Sequence, residues 1–129
     1  MQGKNKPLFR FTQSRIESLI DSGNSLLLLG PRQVGKTTLI NKLLETKNNT
    51  TTYSLQNPRV RQNMEIDPGR LIREIEAFEK PPIVFIDEIQ KVPALFDAIQ
   101  LLIDNHKATF ILTGSSARKL KRHGVNLLP

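Results

Sequence analysis

Apolar residues recur along this chain in two alternating rhythms, a helical three-to-four spacing and short unbroken runs. Ile16, Leu19 and Ile20 form a helical stripe, Ser14 and Glu17 make an S-x-x-E capping box, and Gly23 offers a stop. Together they predict a leading helix over about residues 12–22. The run "SLLLLG" follows, short and bounded by polar and glycine residues, and fits a strand buried on both faces, as in a parallel sheet. Leu39, Ile40, Leu43 and Leu44 then return to helical spacing, and "TTYSL" has the β-branched and aromatic content of a second strand. Asp67-Pro68 marks a helix start, with Leu71, Ile72, Ile75 and Phe78 as its stripe before Pro81-Pro82 ends it. "IVFID" is a third strand. Pro93 opens a helix carrying Leu95, Ile99, Leu102 and Ile103, and "TFILTG" is a fourth strand. Strands alternating with helices predict an α/β fold with a parallel sheet of about four strands.

Composition narrows the setting. The 129 residues, 38% hydrophobic and 24% charged, suit one modest globular domain spanning 1–129. No apolar run is longer than Leu26 to Leu29, and "MQGKNKPLFRF" lacks the apolar stretch of a signal peptide, so a cytoplasmic protein without a membrane segment is expected. With no cysteine, disulfides, thiolate metal sites and cysteine nucleophiles are excluded. Nineteen basic residues against twelve acidic give +7, a balance that favours polyanions. Its densest cluster, Arg118, Lys119, Lys121 and Arg122, has no interleaved aromatic residues to stack bases. A solvated helix face and a nucleic-acid patch are the two readings, the first favoured.

Three stretches carry chemistry. "GPRQVGKT", Gly30 to Thr37, matches G-x-x-x-x-G-K-[ST] and stands in the required order of strand, loop and helix. In such a Walker A loop the glycines let backbone N–H groups turn toward phosphate oxygens, and the helix start adds its positive end. Gly30, Pro31, Arg32, Gln33, Val34, Gly35, Lys36, Thr37 and Thr38 are the expected nucleotide-binding segment. Lys36 would reach the β- and γ-phosphates and the Thr37 hydroxyl would ligate magnesium. In "PPIVFIDEIQ", Asp87 ends an apolar strand where ligands bind in open α/β sheets, and suits the Walker B role of holding Mg²⁺. Glu88 beside it can act as general base toward the attacking water, which a site that only binds does not need. No Asn-Lys-x-Asp stretch follows, so ATP rather than GTP is expected. In "FILTGSSARKL", Thr113 is the first choice for a residue that senses the γ-phosphate, with Ser115 and Ser116 as alternates. Thr-Gly-Ser-Ser is equally ordinary strand-end and N-cap chemistry.

Taken together, "LLLLGPRQVGKTTL", "IVFIDEIQKVP" and "FILTGSSARKLKRHGVNLLP" resemble the AAA+-type P-loop ATPase domain of a large prokaryotic family, whose members carry a further C-terminal domain of unknown function. The resemblance runs from about Phe9 to Pro129. It implies a three-layer P-loop NTPase fold that binds and hydrolyses ATP with Mg²⁺, using Lys36, Asp87, Glu88 and Thr113 as above. It also implies strand order 5-1-4-3-2, with the fifth strand, the lid and any arginine finger absent from this chain. Residues 26–29 would then form an uncovered sheet edge, open to self-association or pairing with another chain. Arg118 and Arg122 acting on a neighbour is the less favoured reading. Gln56 stands where the resemblance leads one to expect an acidic residue. Beside ATP hydrolysis, two other functions stay open: a nucleotide-binding or interaction module without turnover, and a nucleic-acid-dependent ATPase.

Overall fold

The computed structural model describes residues 5–30 and 34–115. Helix α1 (Asn5–Asp21) leads into β1 (Leu26–Leu29), α2 (Val34–Leu44) and β2 (Thr50–Ser54). Two short helices, α3 (Pro58–Ile66) and α4 (Gly69–Glu76), precede β3 (Ile83–Asp87), and a 3₁₀ turn (Ile89–Lys91), α5 (Leu95–Asp104) and β4 (Thr109–Gly114) complete the order. All strand pairs are parallel and the sheet runs β1-β4-β3-β2. That matches the expected 1-4-3-2 portion of the order.

Side chains alternate across the sheet with the period of two that pleating imposes. Phe85 and Ile111 face α1 and α2, where they meet Ile16, Ile20, Leu39, Ile40 and Leu43. Val84, Ile86, Phe110 and Leu112 face the opposite layer with Leu71, Ile75, Leu95, Ile99 and Leu102. The result is three layers, helices on both faces of the sheet. Each fully buried isoleucine, leucine or phenylalanine stabilises this arrangement by roughly 1.5–3 kcal/mol relative to exposure. β3 and β4, central in the sheet, are buried nearly throughout, whereas β1 grades from buried Leu26 to Leu29 at 41% exposure. The expectation that β1 is buried on both faces therefore holds only at its start. Its position explains this: among the described residues, no strand lies on its outer side.

Two local readings differ from the structure. The leading helix starts at Asn5, so Ser14 and Glu17 lie within it and cap nothing. Its end is as expected: Gly23 adopts φ +85°, and the N–H groups of Gly23 and Asn24 return to the carbonyls of Ile20 and Leu19 at 2.9 Å each, a Schellman close. Helix α3 has no counterpart among the sequence expectations. Asn57 caps it, accepting the Arg59 N–H at 2.9 Å, and Pro58 occupies its first turn. Among the described residues, no helix is long and apolar enough to cross a membrane.

Candidate functional site

Parallel pairing brings the carboxyl ends of all four strands to one rim. The register sets Leu29 against Gly114 and Ser54 against Asp87, with β4 and β3 joined between them. The Gly30 N–H donates to the Gly114 carbonyl at 3.2 Å, so the segment after β1 starts beside the end of β4. The backbone of Val34, Gly35 and Lys36 forms the start of α2, which directs that helix's unpaired N–H groups toward the same rim. Thr37 is half-buried and Thr38 exposed in the same turn. Pro31, Arg32, Gln33, Ser116, Arg118 and Arg122, with the rest of the basic cluster, lie outside the described residues.

At the centre of the rim the structure brings Asp87, Glu88 and Thr113 together. All three are buried, at 5%, 3% and 0% exposure. The Thr113 hydroxyl donates to Asp87 Oδ1 at 2.7 Å and accepts the Glu88 backbone N–H at 3.1 Å, so one β4 side chain braces both acidic residues. Asp87 Oδ2 accepts Gln56 Nε2 at 2.9 Å. That contact gives Gln56, unexplained by the sequence, a definite place: it reaches from the end of β2 to the carboxylate at the end of β3. Glu88 itself is left-handed, φ 61° and ψ 53°. A non-glycine residue there carries strain of about 1–2 kcal/mol and persists only where surrounding contacts over-determine it.

Those contacts include two residues given no such part in advance. Gln90, at 7% exposure, donates through Nε2 to Glu88 Oε1 at 2.5 Å and to Ser115 Oγ at 3.1 Å. The Ser115 hydroxyl donates to the same Glu88 oxygen at 2.9 Å. Gln90 was missed because glutamine has no chemistry of its own to announce; only its place one residue beyond Ile89, in the turn after Asp87-Glu88, hinted at it.

Among the described side chains, which do not include that of Lys36, no lysine or arginine forms an ion pair with Asp87 or Glu88. Two adjacent buried carboxyl groups served by amides and hydroxyls alone are poorly compensated, because burial of negative charge is expensive without a cation. The donor set, all oxygen and at a sheet rim beside a helix start, is the kind that a hard divalent cation carrying phosphates would complete. No cluster of three or more His, Cys, Asp or Glu that would hold a metal unaided occurs among the described residues.

The comparisons with known proteins decide the family. A family model described as an AAA domain matches residues 22–129. The chain belongs to the AAA domain family. It forms an AAA-type P-loop ATPase core, with the α/β P-loop NTPase fold. This AAA domain is 31% identical over 114 residues to the uncharacterized proteins Rv2008c of Mycobacterium tuberculosis and Mb2031c of Mycobacterium bovis, covering 86% of the chain. It spans only 24% of the length of either relative. Among solved structures it resembles that of C. elegans PCH-2, with a TM-score of 0.50 and 18% identity, covering 88% of this chain and 36% of that one. At that identity the likeness bears on the fold of the AAA domain alone.

Proposed function

We propose that this AAA domain binds ATP with Mg²⁺ and, within its intact protein, hydrolyses the bond to the γ-phosphoryl group. The observation that carries the reading is the rim cluster: Asp87 and Glu88, side by side, buried and both braced by Thr113. In this reading Gly30 to Thr38 wrap the phosphates with backbone N–H groups, and Lys36 neutralises β- and γ-oxygens. Thr37 and Asp87 would hold the magnesium ion, which when bound would offset the negative charge of the phosphates.

Glu88 supplies the base. The attacking water gives a proton to the carboxylate as its oxygen approaches phosphorus, and Oε2 is the oxygen that no donor among the described residues occupies. Gln56 and Thr113 keep Asp87 oriented from either side. Thr113 also anchors the Glu88 backbone, so a shift at the end of β4 reaches both acids, the coupling a γ-phosphate sensor requires.

Binding of ATP and release of phosphate, measured on the wild-type chain, Lys36→Ala and Glu88→Gln, with and without DNA, test the reading. Lys36→Ala is expected to lose binding. Glu88→Gln is expected to keep binding and to lose turnover by about 10²–10⁴-fold. Binding without turnover in every sample would make the domain a nucleotide-binding module. Strong stimulation by DNA would favour a nucleic-acid-dependent ATPase, and absence of binding would sink the phosphate-loop assignment.

A further inference from the structure

The ring formed by Gln90, Ser115 and Glu88 has an unusual loose end. Both N–H bonds of the Gln90 amide are used, one on Glu88 Oε1 and one on Ser115 Oγ, and Ser115 closes the ring by donating to that same carboxylate oxygen. A carboxylate only accepts, so the NH₂ must face Glu88 and the amide oxygen must turn away. Gln90 Oε1 is buried there and has no hydrogen-bond partner among the described residues.

A glutamine kept for packing would satisfy both ends of its amide. Methionine, with nearly the same length, would fill the space and leave no isolated oxygen. The amide is therefore explained by what its N–H groups hold. Glu88 is fixed at its root by a left-handed backbone and by the Thr113 hydroxyl, and at its tip by Gln90 and Ser115. Thr113 and Ser115 are alternate residues at the end of β4, so root and tip are referred to the same short segment.

We propose that Gln90 is a positioning residue for Glu88, with Ser115 as the opposing jaw of the clamp. The clamp fixes Oε1 and thereby sets the direction of Oε2, the oxygen assigned to the attacking water; this rests on the reading of Glu88 as general base. Through Ser115 the aim of that oxygen follows the end of β4.

Two measurements on the full chain test it. In a ¹⁵N-labelled sample without nucleotide, the Gln90 side-chain amide, assigned by its loss in Gln90→Met, is expected to exchange with water far more slowly than that of exposed Gln62 and to shift in Ser115→Ala. An amide that exchanges as fast as that of Gln62, or stays unmoved by Ser115→Ala, overturns the clamp. In steady-state ATP hydrolysis, Gln90→Met is expected to lower kcat by about tenfold to hundredfold, as displaced catalytic groups do, with KM and affinity for a fluorescent ATP analogue changed less than about threefold. Gln90→Glu, which keeps the shape but exchanges the donating NH₂ for a carboxyl oxygen, should fail to rescue; it carries the test if the methionine variant does not fold. Full kcat in either folded variant overturns the positioning role alone. A wild-type chain that binds ATP without turnover overturns the general-base reading beneath it, while the amide signal still reports whether the clamp exists.

Discussion

Acidic residues occupy two very different settings in this molecule. On the surface formed by α3 and α4, two acids have a basic partner, Arg70 pairing with Glu74 at 2.8 Å and Arg73 with Asp67, while Glu65 and Glu76 stand exposed to water. Across the fold, Lys47 likewise joins Glu17 and Asp21 on α1, and those two contacts, Asp21 foremost, raise its pKa. At the rim of the sheet, Asp87 and Glu88 are far more deeply buried, and among the described side chains their partners are amides and hydroxyls. Simple stability would distribute charge the other way, since exposed pairs contribute little and buried uncompensated acids are unfavourable. The contrast sets charge neutralised at the surface against buried charge that the proposed function assigns to a ligand.

The strongest way to break the comparison is Glu88→Gln, which leaves the rim's shape and removes the base proposed above; turnover should fall by orders of magnitude while ATP binding persists. Next in size is Thr113→Val, nearly isosteric, which strips the brace from Asp87 Oδ1 and the Glu88 N–H together. Two buried groups lose a partner, so equilibrium unfolding in urea should show a loss of about 2–3 kcal/mol.

On the surface side, Tyr53→Phe should be milder, about 1 kcal/mol at neutral pH, because it deletes one half-buried hydrogen bond, Tyr53 to Glu74 at 2.6 Å. Its pH dependence sharpens the contrast. Hydrogen bonds from Arg70, then Tyr53, hold Glu74 below its ordinary 4.5, so its contribution is present above that value and lost as pH falls through the folded value. Burial, then Glu74, raises Tyr53 above its ordinary 10.0, so its contribution is complete below that value and lost as pH rises through the folded value. The difference between wild type and Tyr53→Phe should therefore narrow at both extremes. Smallest is Asp67→Asn. Arg73 holds Asp67 below its ordinary range, yet the pair lies in solvent, and the thermal midpoint in moderate salt should not move measurably.

How much of this was legible in the sequence follows from the range of the interactions involved. The G-x-x-x-x-G-K-[ST] stretch and the Asp87-Glu88 pair are local patterns, and β3 and β4 form over the residues that their apolar runs predict. Thr113 was legible as a polar residue closing an apolar strand. Helix α3 was not, because Val60 and Met64 are its main inward-facing apolar residues and the Asn57-Pro58 cap looks like an ordinary turn. The capping box at Ser14 misled because the same pattern occurs inside helices that start earlier. Gln56 and Gln90 were silent for another reason: their partners lie across the sheet rim, and uncharged amides give no sign of which carboxylate they will find.

The strand order also dictates when the site can exist. β3 meets β2 and β4 across modest stretches of chain, but among the described residues β1 pairs with β4 alone, and beside that pairing Ser25 Oγ accepts the Phe110 N–H from 85 residues away. Closing that long interval is the least favourable pairing in entropy, and none of the nearer strands can substitute for it. A growing or refolding chain can thus assemble the acids at β3 before the phosphate loop is docked beside them. Under the proposed function, nucleotide would then find its complete cradle only in a chain that has already threaded β4 into the middle of the sheet.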